Sequence, residues 1–149
     1  ESYNDLIKTD LVPFKILDKS MMVMLAHIKY PLIDSKVATY SNEIIRNILR
    51  KKFKFKGLVI SDDISMKAIK EDLQTKVIKC YEGGCDIVMY CKGDLNEMKL
   101  IYPFVQVLGN KEMDFFYNEK KKIIPKRKNI NKFKSDLIEC NLISNAPKS

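Results

Sequence analysis

Three short, largely apolar runs, each followed by polar residues, divide the first 110 residues of the chain. The runs are Met21–Ala26, Gly57–Ile60 and Cys85–Cys91. Their length and their glycine or polar flanks favour buried strands, because buried parallel strands read as continuous apolar segments. Segments with helical spacing of apolar residues lie before, between and after these runs. This alternation predicts an α/β fold with right-handed βαβ crossovers and parallel strands.

Capping and helix-breaking residues set the expected boundaries of the helices. Helices are expected over residues 11–17, 42–52, 66–81 and 94–107, and a loop is expected over residues 28–40. Ser41 is a suitable N-cap for the second helix, because its hydroxyl can accept a hydrogen bond from the first turn. Gly83-Gly84 suits the end of the third helix, and Pro103 predicts an interruption or kink in the fourth.

The end of the chain differs in composition from the rest. Of the formal net charge of +8, residues 111–149 carry +5, from 10 lysines and arginines against 5 acidic residues. We expect a basic, partly helical tail over these residues, with modest helices near 112–122 and 131–140, and a separate folded part over residues 1–110. The cluster Lys120–Lys128 is compatible with nucleic-acid binding. Lysine-rich helices are more often solvated surfaces, so the sequence favours no nucleic-acid partner.

The overall composition argues for one ordinary folded domain and against a zinc site, a disulfide framework and a membrane span. With 149 residues, 46% of them hydrophobic, the chain can bury the core of one ordinary domain. Its four cysteines lack the C-x-x-C spacing of a zinc site, and so many core-forming residues argue against a disulfide framework. No apolar run approaches the ~20 residues of a membrane span, and no secretory signal opens the sequence. We therefore expect a cytoplasmic protein with free thiols and without a metal, a cofactor or a membrane partner.

Polar residues at the ends of the three predicted strands are the first candidates for chemistry. His27, Ser61-Asp62-Asp63 and Cys91-Lys92 stand at these ends, and in a parallel sheet they would line one rim, where α/β proteins place their sites. An aspartate there can be a nucleophile, a general base, a metal ligand or the N-cap of the following helix. The sequence has no glycine-rich phosphate loop, which weakens the Mg²⁺ interpretation. The pattern alone leaves the other roles open.

Six segments carry a more specific signal. In chain order they are Asp10–Phe14, Ala26–Pro31, Ala38–Ser41, Ile48–Arg50, Phe55–Met66 and Gly84–Asp86. Together, in this order and spacing, they resemble the bacterial β-N-acetylhexosaminidases of glycoside hydrolase family 3. The resemblance covers roughly residues 5–110, and the Ser-Asp-Asp-x-Ser-Met block is its most specific part.

The resemblance implies a (β/α)₈ barrel and a retaining hydrolysis that releases terminal N-acetylglucosamine from muropeptides in peptidoglycan recycling. The family's nucleophile falls on Asp62, whose carboxylate would attack the anomeric carbon and form a glycosyl-enzyme intermediate. Asp63 and Met66 would shape or support the site. His27 matches the family's Ala-His strand end and not its acid/base residue, so we expect it to fix local hydrogen bonds.

The family's other catalytic groups have no counterpart in this sequence. The resemblance implies an acid/base histidine paired with an aspartate on a mobile loop, and a Lys-His pair and an arginine that grip the substrate. A barrel needs ~250 residues, so we expect a partial one: about the last three strands, six to eight, with their helices, followed by the lysine-rich tail. The site of this chain alone is then incomplete. The alternative is a non-catalytic remnant, or a half-barrel that assembles with a separately encoded amino-terminal half.

Overall fold

Three parallel strands form the centre of the fold in the computed structural model, which describes residues 3–16 and 20–123. The described residues contain five strands, of which the first, fourth and fifth form this central sheet: β1 (Met22–Leu25), β2 (Lys29–Tyr30), β3 (Asp34–Val37), β4 (Leu58–Asp63) and β5 (Ile87–Met89). The helices are α1 (Tyr3–Lys8), α2 (Val12–Ile16), a π-helix (Glu43–Lys52), α3 (Leu73–Gly83), α4 (Leu95–Ile101) and α5 (Asn110–Ile123), with 3₁₀ turns at Ala38–Tyr40 and Tyr102–Phe104.

The central sheet has the order β1-β4-β5, and both of its strand pairs are parallel. The prediction of an α/β fold with parallel strands is therefore confirmed. The third strand is shorter than the predicted run Cys85–Cys91. Just before it, Asp86 donates its N–H to the Val59 carbonyl oxygen at 2.8 Å, and its carboxylate accepts from the Val59 N–H at 2.7 Å and from Arg50 at 2.5 Å.

Two of the expected local structures are wrong. The predicted loop over residues 28–40 contains an antiparallel hairpin, β2 with β3, and ends in a 3₁₀ turn. The predicted helix over residues 66–81 begins only at Leu73, since Asp72 is the residue that caps it, accepting from the Thr75 N–H at 2.8 Å. The connection between β4 and α3 is a series of turns instead.

The other helices follow the predictions with small changes. The predicted first helix is represented by α2, with α1 before it. Helix α4 ends at Ile101 and continues for one 3₁₀ turn that contains Pro103, where a proline lacks the N–H that a longer helix needs. Helix α5 covers the expected segment 112–122. The predicted helix over residues 131–140 lies outside the described residues.

The π-helix packs its apolar side against the sheet and forms much of the core. Its buried residues are Ile44, Ile45, Ile48 and Leu49. The Ser41 hydroxyl accepts from the Ile44 N–H at 3.1 Å, which agrees with its predicted capping role. On the same side of the sheet, α3 approaches the 3₁₀ turn so closely that a Cβ at Gly83 would lie 2.8 Å from the Tyr40 backbone.

The opposite face of the sheet is open in the part of the chain that the structure describes. Met24 pairs with Ile60 in the ladder, so the two side chains share a face, and Met24 is 53% exposed. The neighbouring pair Val23 and Val59 points to the helical side, where Val59 is fully buried. Strands β1 and β5 each pair only with β4 among the described residues, which leaves two strand edges unpaired.

The chain forms two compact units, the first over Glu1–Tyr117 and the second over Asn118–Ser149. Most of the second unit lies outside the described residues. Among the helices that the structure describes, none is long and apolar enough to cross a membrane.

Candidate active site

The carboxyl end of β4 carries an irregularity that places its two aspartates differently. Ile60 pairs with Ile87, but the next pair is Asp63 with Met89. Strand β4 thus advances by three residues where β5 advances by two. Such a bulge bends a strand and redirects side chains, and bulges are frequent next to active sites. Asp62 lies within this bulge.

Asp62 is half-buried and keeps part of its carboxylate free. Its Oδ1 accepts a hydrogen bond from the N–H of Asp63 at 2.9 Å. Its Oδ2 receives no hydrogen bond from any residue that the structure describes. The side chain therefore has one anchored oxygen and one oxygen that is available to a bound molecule.

Asp63, by contrast, is held through both of its carboxylate oxygens. Oδ1 accepts from the N–H groups of Ser65 at 2.9 Å and Cys91 at 3.0 Å, and Oδ2 accepts from the Ser65 hydroxyl at 2.6 Å. Partial burial acts to raise the pKa of Asp63, but the hydrogen bonds from Ser65 and Cys91 outweigh it and lower the pKa. Asp63 is thus a fixed carboxylate that ties the loop after β4 to the end of β5.

His27 lies beside this loop and uses both of its ring nitrogens. Nε2 is 3.1 Å from the carbonyl oxygen of Asp63, and Nδ1 is 2.9 Å from the hydroxyl of Thr39. Because a carbonyl only accepts, Nε2 must carry a proton. The hydroxyl of Thr39, which is fully buried, also donates to the carbonyl oxygen of Ala26 at 3.1 Å. The histidine joins the end of β1 to the peptide that follows the aspartates.

Met66 belongs to the same loop, and its side chain is 43% exposed. Its N–H donates to the carbonyl oxygen of Asp63 at 3.1 Å. Beneath it, the ammonium of Lys76 donates to the carbonyl oxygens of Ile64 at 2.9 Å and Met66 at 3.2 Å. Lys76 is only 6% exposed. The loop is therefore fixed from below by a lysine that the sequence reasoning did not single out.

Lys76 was missed from the sequence although it left a signal. It occurs on the apolar side of α3, three residues after Leu73 and four before Cys80. A lysine at such a position is rarely buried without a partner, which marks it as unusual. Ser61 was named together with the two aspartates, but its hydrogen bonds were not predicted, because they depend on the position of β5.

The third strand end contributes its backbone to the site and not its lysine. The Cys91 N–H binds Asp63, whereas the ammonium of Lys92 donates to the Glu97 carboxylate, which also accepts from the Tyr90 hydroxyl. Desolvation and the neighbouring Glu97 raise the pKa of Tyr90 to about 12. The three strand ends therefore meet as predicted: the backbone carbonyl of Asp63 binds His27, and its carboxylate binds the Cys91 N–H.

Neither a metal centre nor a disulfide forms among residues 3–16 and 20–123. No group of three histidine, cysteine or acidic side chains there is arranged to hold a metal ion. Cys80, Cys85 and Cys91 are free thiols, and the first two are buried.

Comparison with known proteins identifies the family. The model of the glycosyl hydrolase family 3 N terminal domain matches residues 1–124. The chain belongs to glycosyl hydrolase family 3. A curated β-hexosaminidase of Neisseria meningitidis serogroup C is 39% identical over 98 residues, and one of Hydrogenovibrio crunogenus is 36% identical over 93 residues. Each alignment covers 60% of this chain and 26% of the relative.

Solved structures of this family share the fold. The native NagZ from Neisseria gonorrhoeae superposes with a TM-score of 0.68 and 30% identity, over 80% of this chain and 34% of that protein. The β-N-acetylglucosaminidase from Thermotoga maritima gives a TM-score of 0.65 and 28% identity, over 92% of this chain and 33% of that protein. The chain spans about a quarter of the length of the curated relatives that it matches. Its fold is thus that of part of a family 3 amino-terminal domain.

Proposed function

We propose that this chain supplies the nucleophile of a retaining β-N-acetylhexosaminidase, and that the nucleophile is Asp62. The observation that carries the proposal is the free Oδ2 of Asp62 at the carboxyl end of β4, beside a carboxylate that is already fully bound. In retaining glycosidases a carboxylate attacks the anomeric carbon and forms a covalent glycosyl-enzyme, which water then hydrolyses. Membership of family 3 and the β-hexosaminidase relatives support this reaction class.

The hydrogen bonds distinguish the two adjacent aspartates. A nucleophilic oxygen has to reach the substrate without first breaking strong bonds within the protein. Asp63 would have to release Ser65 or Cys91, whereas Asp62 has an oxygen with no such bond. Asp63 is accordingly a supporting residue, and Met66 and His27 support the same loop through the carbonyl oxygen of Asp63.

Among the residues that the structure describes, we assign no proton donor for the leaving group to the proposed site. His27 is the chain's sole histidine, and both of its ring nitrogens are engaged within the protein. General acid catalysis contributes on the order of 10²–10⁴ in rate, so we expect this chain alone to cleave only substrates whose leaving group needs no protonation. The substrate class is a terminal N-acetylglucosamine on a muropeptide, which is compatible with a cytoplasmic enzyme of peptidoglycan recycling.

Leaving-group dependence tests the proposal. The chain is incubated with the dinitrophenyl and the methyl glycosides of N-acetylglucosamine, and release of the aglycone is measured. We expect slow release of dinitrophenolate, a stable anion, and no cleavage of the methyl glycoside. Asp62→Asn should abolish the release, whereas Asp72→Asn, which alters a carboxylate that caps α3, should not. Release that survives Asp62→Asn would contradict the proposal, and rapid cleavage of the methyl glycoside would contradict the incomplete site.

The second candidate is assembly with an amino-terminal half. The observation that favours it is the open face around Met24 and Ile60, together with the unpaired edges of β1 and β5. In this proposal the three parallel strands are the last three of an eight-stranded barrel, within residues 1–110, and residues 111–149 form the separate basic tail. A separately encoded half would then cover the face, close the sheet and supply the acid/base group.

Mixing experiments test this assembly. The chain is combined with the part of Neisseria gonorrhoeae NagZ that precedes the matched region, and the complex is measured by sedimentation. We expect a one-to-one complex that cleaves the methyl glycoside. Met24→Glu should prevent assembly, whereas Ile78→Glu, which changes an exposed residue of α3, should not. A mixture that neither forms a complex nor gains activity would leave the non-catalytic remnant as the better description.

A further inference from the structure

We propose that Ser61 is a positioning residue whose hydroxyl links the ends of β4 and β5 and thereby sets the placement of Asp62. The inference rests on the proposed nucleophile, because it explains how that carboxylate is held. It goes further in naming a residue that neither contacts the substrate nor contributes a carboxylate. The evidence is the hydrogen bonding between the ends of β4 and β5.

The pairing of Asp63 with Met89 defines which bonds a regular ladder would contain. In a parallel sheet, the N–H of such a paired residue donates to the carbonyl of the residue before its partner. Its own carbonyl accepts from the N–H of the residue after its partner. The second of these bonds is present, from the Ile64 N–H to the Met89 carbonyl at 2.9 Å. The first runs from the Met89 N–H to the carbonyl of Asp62, two backbone groups that the pairing sets against each other. A side chain also binds both of these groups.

This side chain is the Ser61 hydroxyl. The Met89 N–H donates to Ser61 Oγ at 2.9 Å, and the hydroxyl donates to the Asp62 carbonyl oxygen at 2.7 Å. One hydroxyl therefore binds a donor of β5 and an acceptor of β4 where the two strand ends meet. Ser61 is fully buried. This is the same place at which β4 gains its extra residue.

The Ser61 hydroxyl has a direct consequence for Asp62. It binds the carbonyl of Asp62 itself, so it restrains the orientation of the peptide from which the carboxylate projects. Without it, that peptide loses a restraint within the bulge. Asp62 can then change its orientation relative to Asp63, which remains bound to Ser65 and Cys91.

Ser41 provides a matched control. It is also a fully buried serine whose hydroxyl donates one hydrogen bond, to Asp34 Oδ2 at 2.7 Å, and accepts one, from the Ile44 N–H at 3.1 Å. Ser41→Ala and Ser61→Ala therefore delete the same group with the same number of bonds. Only the second deletion removes a bridge at Asp62.

Covalent labelling of Asp62 measures the effect. The probe is a ring-fluorinated dinitrophenyl N-acetylglucosaminide. A carboxylate oxygen of Asp62 forms a bond to its anomeric carbon. The bond between the anomeric carbon and the aryl oxygen breaks, and dinitrophenolate leaves with the electron pair. We expect Ser61→Ala to lower the limiting labelling rate by on the order of 10–100-fold, because displacements of about 1 Å have such effects. The half-saturating probe concentration should change little, and Ser41→Ala should label like the wild-type chain.

Two outcomes of the labelling overturn the inference: an unchanged limiting rate in Ser61→Ala, or an equal loss in both serine variants. If the wild-type chain is not labelled, the proposed nucleophile fails, and NMR decides the inference separately. The Hα–Hβ couplings of Asp62 should show one side-chain rotamer in the wild-type chain and in Ser41→Ala, but averaged rotamers or a new one in Ser61→Ala. Couplings unchanged by Ser61→Ala would overturn it.

Discussion

Removal of the Asp86 carboxylate should destabilise the fold through two separable contributions. Asp86 Oδ2 accepts from the Val59 N–H at 2.7 Å and from Arg50 at 2.5 Å, and the Arg50 and Asp86 side chains are 28% and 22% exposed. Arg50 also donates to the carbonyl oxygens of Phe55 and Gly57. The carboxylate therefore joins the end of the π-helix, the beginning of β4 and the turn before β5.

The loss in the free energy of unfolding depends on which groups each substitution at Asp86 leaves without a hydrogen-bond partner. Asp86→Ala leaves the N–H of Val59, a fully buried residue, without a partner, at a cost of about 1–3 kcal/mol. It also leaves Arg50 without its counterion, for which about 1 kcal/mol is reasonable, well below the value for a fully buried pair, because the pair is a quarter exposed. Asp86→Asn keeps an acceptor for Val59 and loses mainly the second contribution. We expect losses of about 2–4 kcal/mol for alanine and about 1 kcal/mol for asparagine.

Urea unfolding followed by circular dichroism measures both free energies of unfolding. Glu71→Ala is the control, since it removes the partner of Lys79 in a more exposed ion pair and should cost less than about 1 kcal/mol. The reasoning would be refuted if alanine and asparagine at position 86 were equally destabilising, or if both changed stability no more than Glu71→Ala.

Three further substitutions test other parts of the structure. The folded-state pKa of Asp63 is lowered, so its stabilisation is present above the unfolded pKa of about 3.9 and is lost as the pH falls through the folded value. Asp63→Asn should therefore destabilise the chain at pH 7 and progressively less below about pH 4 in unfolding experiments. A difference in the free energy of unfolding between wild type and variant that stayed constant with pH would contradict this. Lys76→Met removes two hydrogen bonds from the loop after β4 and should speed amide exchange of Met66, measured by NMR, with Lys79→Met as an unaffected comparison. Gly84 has a φ of +111°, so Gly84→Ala should lower the stability by about 1–2 kcal/mol in urea unfolding, and a neutral result would show that the turn can rearrange.

The sequence predicted those features that depend on local pattern. The predicted apolar runs Met21–Ala26 and Gly57–Ile60 overlap the strands Met22–Leu25 and Leu58–Asp63, because each run is long enough only for a strand and is followed by polar residues. The cap at Ser41 is explained by the chemistry of serine next to an apolar helical pattern. The position of the two aspartates at the end of a strand is likewise set by the order of residues alone.

Features that depend on contacts between distant segments could not be predicted. Ala68 and Ile69 have helical spacing with the apolar residues of α3, yet Lys76 binds the carbonyls of Ile64 and Met66 and holds the segment in turns. Asp63, unlike Asp62, is held by the Cys91 N–H, 28 residues away. The hydrogen bond from the Met89 N–H to the Ser61 hydroxyl likewise depends on the register of β5. These contacts exist only once the sheet has formed.

The identity of the carboxylate that becomes labelled is the most direct test of the central claim. The chain, alone and mixed with an amino-terminal half of a relative, is treated with the ring-fluorinated dinitrophenyl N-acetylglucosaminide, and tryptic peptides are sequenced by mass spectrometry. Cleavage after Lys56 and Lys67 isolates both aspartates in one peptide. The account predicts a single glycosyl ester on Asp62. An ester on Asp63 or elsewhere, or no ester in either sample, would contradict it.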